Sequence, residues 1–241
     1  RDVERSRGLG DVYKRQVNMG VKQTGAGSSY VDLAWDAQLG AGHYHTQFSQ
    51  DGKNWIDMDN SSSPSESVYN LTQGASYYAR VVAYKGSHYT GTHVMIGVSE
   101  TAIVSTKPTE VSGLTQTAAG VNSVSMSWNA SAGAASYVIY GYINYNWTQI
   151  GTSATNSATI TGVAATTSTR FSVAAVKNVT GGTVTGDQCS GVEMKAIPIK
   201  VSRIAMQYYW DSLKEAKYIW TDVNNACLLY TSPSPRDLST S

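Results

Sequence analysis

The chain has little charge, little cysteine and no long apolar run. Only 15% of its 241 residues are charged and the formal net charge is +1, so the composition predicts no basic surface for nucleic acid. Two cysteines in this length exclude a disulfide-dense scaffold. No apolar run approaches the roughly 18 residues of a membrane helix, so we expect no membrane insertion within this sequence.

The chain is rich in aromatic residues for so few charges. It contains 16 Tyr and 6 Trp, and 41% of its residues are hydrophobic. A disordered tail lacks this content. The length is enough for one large domain or two small ones, each with a core of its own.

Both ends of the chain are explained by a single DNA duplex. Residues 6–16 are SRGLGDVYKRQ and residues 227–237 are CLLYTSPSPRD. One strand of a sequencing-library adapter encodes the first string, and its reverse complement, out of frame by one base, encodes the second. We therefore interpret 1–16 and 227–241 as translated adapter and exclude them from the fold. Such a library indicates a metagenomic, bacterial fragment.

The remaining residues contain an internal repeat. Trp35 is followed nine residues later by Tyr44, and Trp128 is followed nine residues later by Tyr137. The step between the two tryptophans, 93 residues, is too long for a solenoid unit. It suits small independent domains in series.

Around these markers the hydrophobic residues alternate. YVDLAW (30–35) and SVSMSW (123–128) place every second side chain on one face, as do residues 77–84 and 170–176. This period of two is typical of strands with one buried face. Short strands separated by Gly, Asn, Ser and Asp predict an antiparallel β-sandwich.

The same stretches resemble fibronectin type III domains. The pattern consists of a Trp that ends strand B, a Tyr that opens strand C, and LTQGASYYARVVA (71–83) or VAATTSTRFSVAA (163–175) leading into strand F. The resemblance implies a corner tyrosine, Tyr77, whose hydroxyl bonds backbone near Leu71. Thr169 stands where the second repeat would carry that tyrosine. The core residues implied are Trp35, Tyr44, Leu71, Tyr77, Trp128 and Tyr137.

The predicted fold is all-β, with two tandem immunoglobulin-like (fibronectin type III) β-sandwiches and a truncated third repeat. Pro108 and Pro198 mark the domain starts, which gives domains at 17–107 and 108–197 and a stub at 198–226. About 29 residues are too few to bury a core of their own. We expect the stub to pair loosely with the second domain or to stay unfolded.

One candidate binding patch lies in GYINYNW (141–147). Tyr142, Tyr145 and Trp147 crowd around the turn between strands C and C′, and Tyr142 is predicted to point outward. Exposed aromatic rings stack on sugars or anchor peptides. The alternative is partial burial of these rings against strands C and F.

A second candidate site is formed by the histidines, all of which lie in the first repeat. They are His43, His45, His88 and His93. By the fibronectin topology the first two flank Tyr44 on strand C, and the other two lie in the F–G loop at the same end of the sandwich. Four imidazoles there would suit zinc, nickel or copper. The alternative is ordinary exposed loop histidines. We predict no cofactor.

No motif for catalysis is present. Gly-x-Ser-x-Gly, His-Glu-x-x-His, a phosphate loop and Cys-x-x-Cys are all missing, and Asp51, Asp57 and Asp59 are expected to be solvated turn acids. The resemblance implies a monomeric, non-catalytic spacer or adhesion module, extracellular or on the cell surface, with an unidentified protein or glycan ligand. Two alternatives are a glycan- or peptide-binding module using the aromatic patch, and an accessory region of a secreted polysaccharide-degrading enzyme whose catalytic domain lies elsewhere.

Overall fold

The computed structural model describes residues 16–86, 94–165 and 168–198, and the backbone of 204–210 and 215–220. Every regular element in these ranges is a strand, so the predicted all-β class is confirmed. The same ranges contain no helix long and apolar enough to cross a membrane.

The first repeat forms two sheets. Its strands are β1 (Gln16–Val17), β2 (Lys22–Ala26), β3 (Val31–Ala34), β4 (His43–Ser49), β5 (Ile56–Ser61), β6 (Ser65–Val68), β7 (Ser76–Lys85), β8 (Val94–Ser99) and β9 (Ala102–Ser105). One sheet has the order β2-β3-β6. The other has the order β1-β8-β7-β4-β5, with β9 also pairing to β7. These are the A-B-E and G-F-C-C′ sheets expected of a fibronectin type III sandwich.

The alternation in the sequence explains which face of β3 is buried. Val31 and Leu33 are 0% and 1% exposed, whereas Asp32 between them points away from the core and accepts a 2.6 Å hydrogen bond from Ser67 Oγ. Trp35 and Tyr44 join the same core with their rings edge to face, 5.4 Å between centroids. The two sheets therefore bury one continuous apolar layer.

The second repeat has the same strand order, without a counterpart of β1 among its described strands. Its strands are β10 (Thr115–Gly120), β11 (Ser123–Ser127), β12 (Ser136–Ile143), β13 (Asn146–Ser153), β14 (Ser157–Thr161), β15 (Thr169–Val179), β16 (Gly182–Thr185) and β17 (Val192–Met194). One sheet is β10-β11-β14, and the other is β13-β12-β15-β16 with β17 also pairing to β15. Val124, Met126, Ile139 and Phe171 are each at most 1% exposed.

Three tyrosine hydroxyls fix loops to the sandwiches. Thr72 N donates to Tyr77 Oη at 3.0 Å, which is the corner bond that the resemblance implied. Gln38 N donates to Tyr44 Oη, and Ser131 N donates to Tyr137 Oη, both at 3.0 Å. Both strand-C tyrosines thus hold the backbone six residues before them. The structure buries all six predicted core residues to 8% exposure or less.

The predicted stub contains an antiparallel hairpin. Its strands are β18 (Ile204–Trp210) and β19 (Glu215–Trp220), with Ile204 opposite Trp220. The limits proposed for the domains and for the adapter segments stay predictions.

Contacts between Cα atoms group the chain into two compact units that do not follow the repeats. One unit comprises the described residues through Ser112, Asn129–Val138 and Val173–Cys189. The other comprises Gly113–Trp128, Ile139–Ser172 and the described residues from Ser190 onward. The first unit therefore holds the first repeat together with β16, most of β15 and the start of β12.

Candidate functional site

The aromatic patch is built around a tight hairpin turn. Asn144 and Tyr145 connect β12 to β13, and both have positive φ, 49° and 64°. Two such residues in a two-residue loop form a type I′ turn. Glycine is favoured at these positions because side chains are disfavoured at positive φ. Tyr145 occupies one of them, and 90% of its surface is exposed. Neither backbone preference nor packing therefore explains why a tyrosine stands at this position.

The other two rings of the patch contact each other. Tyr142 is 39% exposed, and its ring lies 5.3 Å from that of half-buried Trp147 at an interplanar angle of 62°. These two rings are edge to face and do not form one flat platform. A ligand would therefore stack on one ring and touch the edge of the other.

A glycine positions Trp147. A Cβ atom built on Gly191 would lie 2.7 Å from Cη2 of Trp147 and 3.4 Å from Nε of Arg170. The indole therefore packs directly against bare backbone. No signal in the sequence singled out Gly191, because its role depends on the neighbour that it meets across the sheet.

The histidines are only partly within the described residues. His43 is buried, its Nδ1 lies 3.0 Å from Gly86 O, and its ring stacks on Tyr84 at 5.2 Å between centroids. The His45 ring lies 5.4 Å from that of His43. His88 and His93 lie outside the described residues. The described part of the chain contains no group of three or more side chains placed to hold a metal, so the four-histidine site stays a prediction.

The sequence did not reveal a polar cluster on the outer face of the first repeat. The Arg80 guanidinium lies 4.0 Å from the centroid of the Trp55 ring, which is a cation–π contact. Arg80 Nε donates to Gln47 Oε1 at 2.8 Å, and Gln47 Nε2 donates to Asp57 Oδ1 at 2.7 Å. Burial lowers the pKa of Arg80. The outward alternation of Arg80 on β7 was the signal that could have found it.

Hydrogen bonds within the first repeat hold the carboxylates of Asp51 and Asp57. Asp51 accepts hydrogen bonds from the backbone N–H groups of Asn54 and Lys53, each at 2.8 Å. These donors hold the pKa of Asp51 well below its usual range. Such a carboxylate organises a turn and is a poor proton acceptor at neutral pH. Asp57 accepts a hydrogen bond from Gln47 Nε2.

Residues of both repeats meet within the first compact unit. Lys177, 4% exposed, donates from Nζ to Gly74 O, and desolvation lowers its pKa. Ile103 and Thr180 exchange two hydrogen bonds: Ile103 N to Thr180 Oγ1 at 2.7 Å and Thr180 N to Ile103 O at 2.8 Å. Lys107 and Asp187 form an ion pair at 2.7 Å. We call these three contacts the junction.

No protein-family model and no curated protein sequence matches the chain. Among solved structures, the FN1–FN3 domains of chicken CNTN1 are similar, with 13% identity, a TM-score of 0.41, and coverage of 76% of this chain and 68% of that one. A two-domain fibronectin type III segment of chicken tenascin has 17% identity, a TM-score of 0.38, and coverage of 74% and 98%. The twitchin kinase region of C. elegans has 18% identity, a TM-score of 0.33, and coverage of 38% and 17%.

Proposed function

We propose that this chain is a non-catalytic spacer or adhesion segment of a larger extracellular or cell-surface protein. The observation that carries the proposal is the junction. Two sandwiches in series hold a fixed spacing only if their connection resists bending. A buried lysine, an exchanged pair of hydrogen bonds and an ion pair provide such a connection across residues far apart in sequence.

The three junction contacts differ in strength. The Lys107–Asp187 pair is solvent-exposed, and such pairs contribute little, about 0–1 kcal/mol. Lys177 is enclosed, and removing it would leave the Gly74 carbonyl without this donor, which is the more costly change. Lys177 is therefore the side chain whose loss we expect to loosen the connection most.

The spacer proposal is tested by a distance distribution between two spin labels. Labels at Leu39→Cys and Thr183→Cys, in a Cys227→Ser background, mark exposed sites on the two repeats. We expect a narrow distribution that broadens in Lys177→Ala, because the enclosed hydrogen bond is lost. Lys53→Ala, in an exposed turn, is the matched control and should leave the distribution narrow. A broad distribution in the unaltered chain would contradict the proposal.

The aromatic patch supports a second function, binding of a glycan or peptide. Tyr145 is the observation that favours it, since a large side chain at positive φ with 90% exposure is disfavoured by the backbone and not repaid by packing. Exposed Asn144, beside it in the turn, offers an amide group to ligand hydroxyls, whereas Nδ2 of Asn146 already donates to Asn144 O. In a polysaccharide-degrading enzyme this patch would direct the fragment to its substrate.

We expect Trp147→Ala to abolish the binding of a neutral polysaccharide. The probes are hydroxyethylcellulose, xyloglucan and galactomannan in affinity gel electrophoresis, with retardation of the chain as the readout. Gly191→Ala should weaken retardation by displacing the indole while leaving all three rings present. Trp55→Ala, which removes a tryptophan from the first repeat, should change nothing. Absence of retardation by all three probes would remove the glycan form of this candidate.

A further inference from the structure

We propose that the side of the second repeat formed by β13 and β14 pairs with the same side of a second copy of this chain. This inference goes beyond the spacer role and does not depend on it. It rests on two sheet edges, on an unusual absence of charge, and on a contrast between the two repeats.

Both strands lie at the end of a sheet. β13 is the terminal strand of the order β13-β12-β15-β16, and β14 is the terminal strand of β10-β11-β14. No other described strand pairs with their outer edges. An edge of this kind presents backbone N–H and C=O groups in the spacing that another strand requires.

Nothing in the sequence blunts these edges. The chain contains no Asp, Glu, Lys or Arg from Val111 through Thr169, and β13, β14 and the turn between them contain no proline. Charged side chains and proline are the usual means of preventing edge-to-edge pairing. The eight residues of β13 are long enough for a continuous ladder.

The first repeat protects the same side. Its equivalent strands, β5 and β6 with the turn between them, carry Asp57, Asp59, Pro64 and Glu66. The register of β5 against β4 also shifts between Thr46 and Gln47, and such an irregularity twists an edge out of line. One chain thus contains both a protected and an unprotected version of the same edge.

The charge pattern selects a second copy as the occupant. A two-fold interface places each residue against a copy of its own surface. Copies of the acidic first-repeat side would repel each other and would have to bury carboxylates. Copies of the β13–β14 side carry no charge, and exposed Thr148, Gln149, Thr152 and Thr159 supply hydroxyl and amide groups that both donate and accept. This side is therefore complementary to itself.

The test is sedimentation velocity of the full chain over a concentration series from about 10 µM to about 1 mM, which spans weak association. We expect the unaltered chain to shift from monomer toward dimer as its concentration rises. Gln149→Asp/Thr152→Asp, which adds two carboxylates to the edge at exposed positions, should keep the chain monomeric. Asn60→Asp/Ser63→Asp adds the same charge to the equivalent side of the first repeat and should leave dimerisation unchanged.

Each result decides the proposal. Dimerisation lost only in Gln149→Asp/Thr152→Asp supports it, provided that the melting temperature of that variant matches that of the unaltered chain at about 10 µM, where both are expected to be monomeric and association does not add to stability. A chain that stays monomeric throughout the series overturns it. So does a dimer that survives the change at β13, because that dimer would use another surface. Spin-label distances within one chain report the spacer role separately, so the failure of one proposal is distinguishable from the failure of the other.

Discussion

Phe171→Ala is expected to lower the free energy of unfolding of the second repeat by about 3–5 kcal/mol, the usual cost of emptying an aromatic core position. Phe171 is 1% exposed on strand β15. Folded domains are stable by only about 5–15 kcal/mol, so most of the stability of this repeat would be lost. Urea unfolding combined with backbone hydrogen exchange localises the effect. Exchange should accelerate in the second repeat and remain slow in β3 and β7 of the first.

The effect should be large because the two repeats fill one core position from opposite strands. In the first repeat Phe48 on β4 lies opposite Ala79 on β7. The backbone bonds Gly42 N–Tyr84 O and Ala135 N–Val176 O give the second repeat the same offset, which places Gly141 opposite Phe171. The aromatic ring and the small residue have exchanged strands, so Gly141 has no side chain with which to fill the space that Phe171 would leave.

This exchange predicts the outcome of a double-mutant cycle. Gly141→Phe alone should destabilise by about 1–3 kcal/mol, because it overpacks a filled core; even a Cβ there would lie 3.1 Å from Ile150 Cδ1. Gly141→Phe with Phe171→Ala restores the arrangement of the first repeat. The loss in the free energy of unfolding of this double variant should be smaller than the sum of the two single losses by more than about 1 kcal/mol, as for directly coupled sites. Additive losses would show that the two positions do not share one space.

The fold could be predicted from the sequence because the evidence for it is local. Val31, Leu33 and Trp35 alternate within six residues, and their equivalents Val124, Met126 and Trp128 repeat the pattern. A period of two fixes which face is buried before any partner strand is known. The hydrogen bond from Gln38 N to the Tyr44 hydroxyl could not be predicted in this way. A tyrosine that only packs in the core and one that also binds a loop have the same sequence pattern.

The candidate sites were predicted less completely because their parts come from distant segments. Tyr142, Tyr145 and Trp147 are neighbours in sequence, so their crowding was predictable, but the angle between the rings and the support from Gly191 were not. Lys177 and Gly74 are separated by 103 residues. From the sequence alone, Lys177 would be expected to be an exposed surface charge. Its burial becomes visible only once the strands are assembled.

Trp35→Ala is expected to destabilise the first repeat as strongly, by about 3–5 kcal/mol. Trp35 is 5% exposed, and its ring packs edge to face on Tyr44. Removing its ring would leave a cavity between the end of β3 and the start of β4. Loss of slow hydrogen exchange in β3 and β4, with exchange in β11 and β15 unchanged, would locate the damage in the first repeat.

Trp35→Phe should cost less than half as much as Trp35→Ala. The indole Nε1 of Trp35 is buried with no hydrogen-bond partner among the described residues, and an unpaired buried donor is itself destabilising. Phenylalanine keeps an aromatic face against Tyr44 and removes that donor, so part of the lost packing is offset. Equal damage from phenylalanine and alanine in urea unfolding would contradict this expectation.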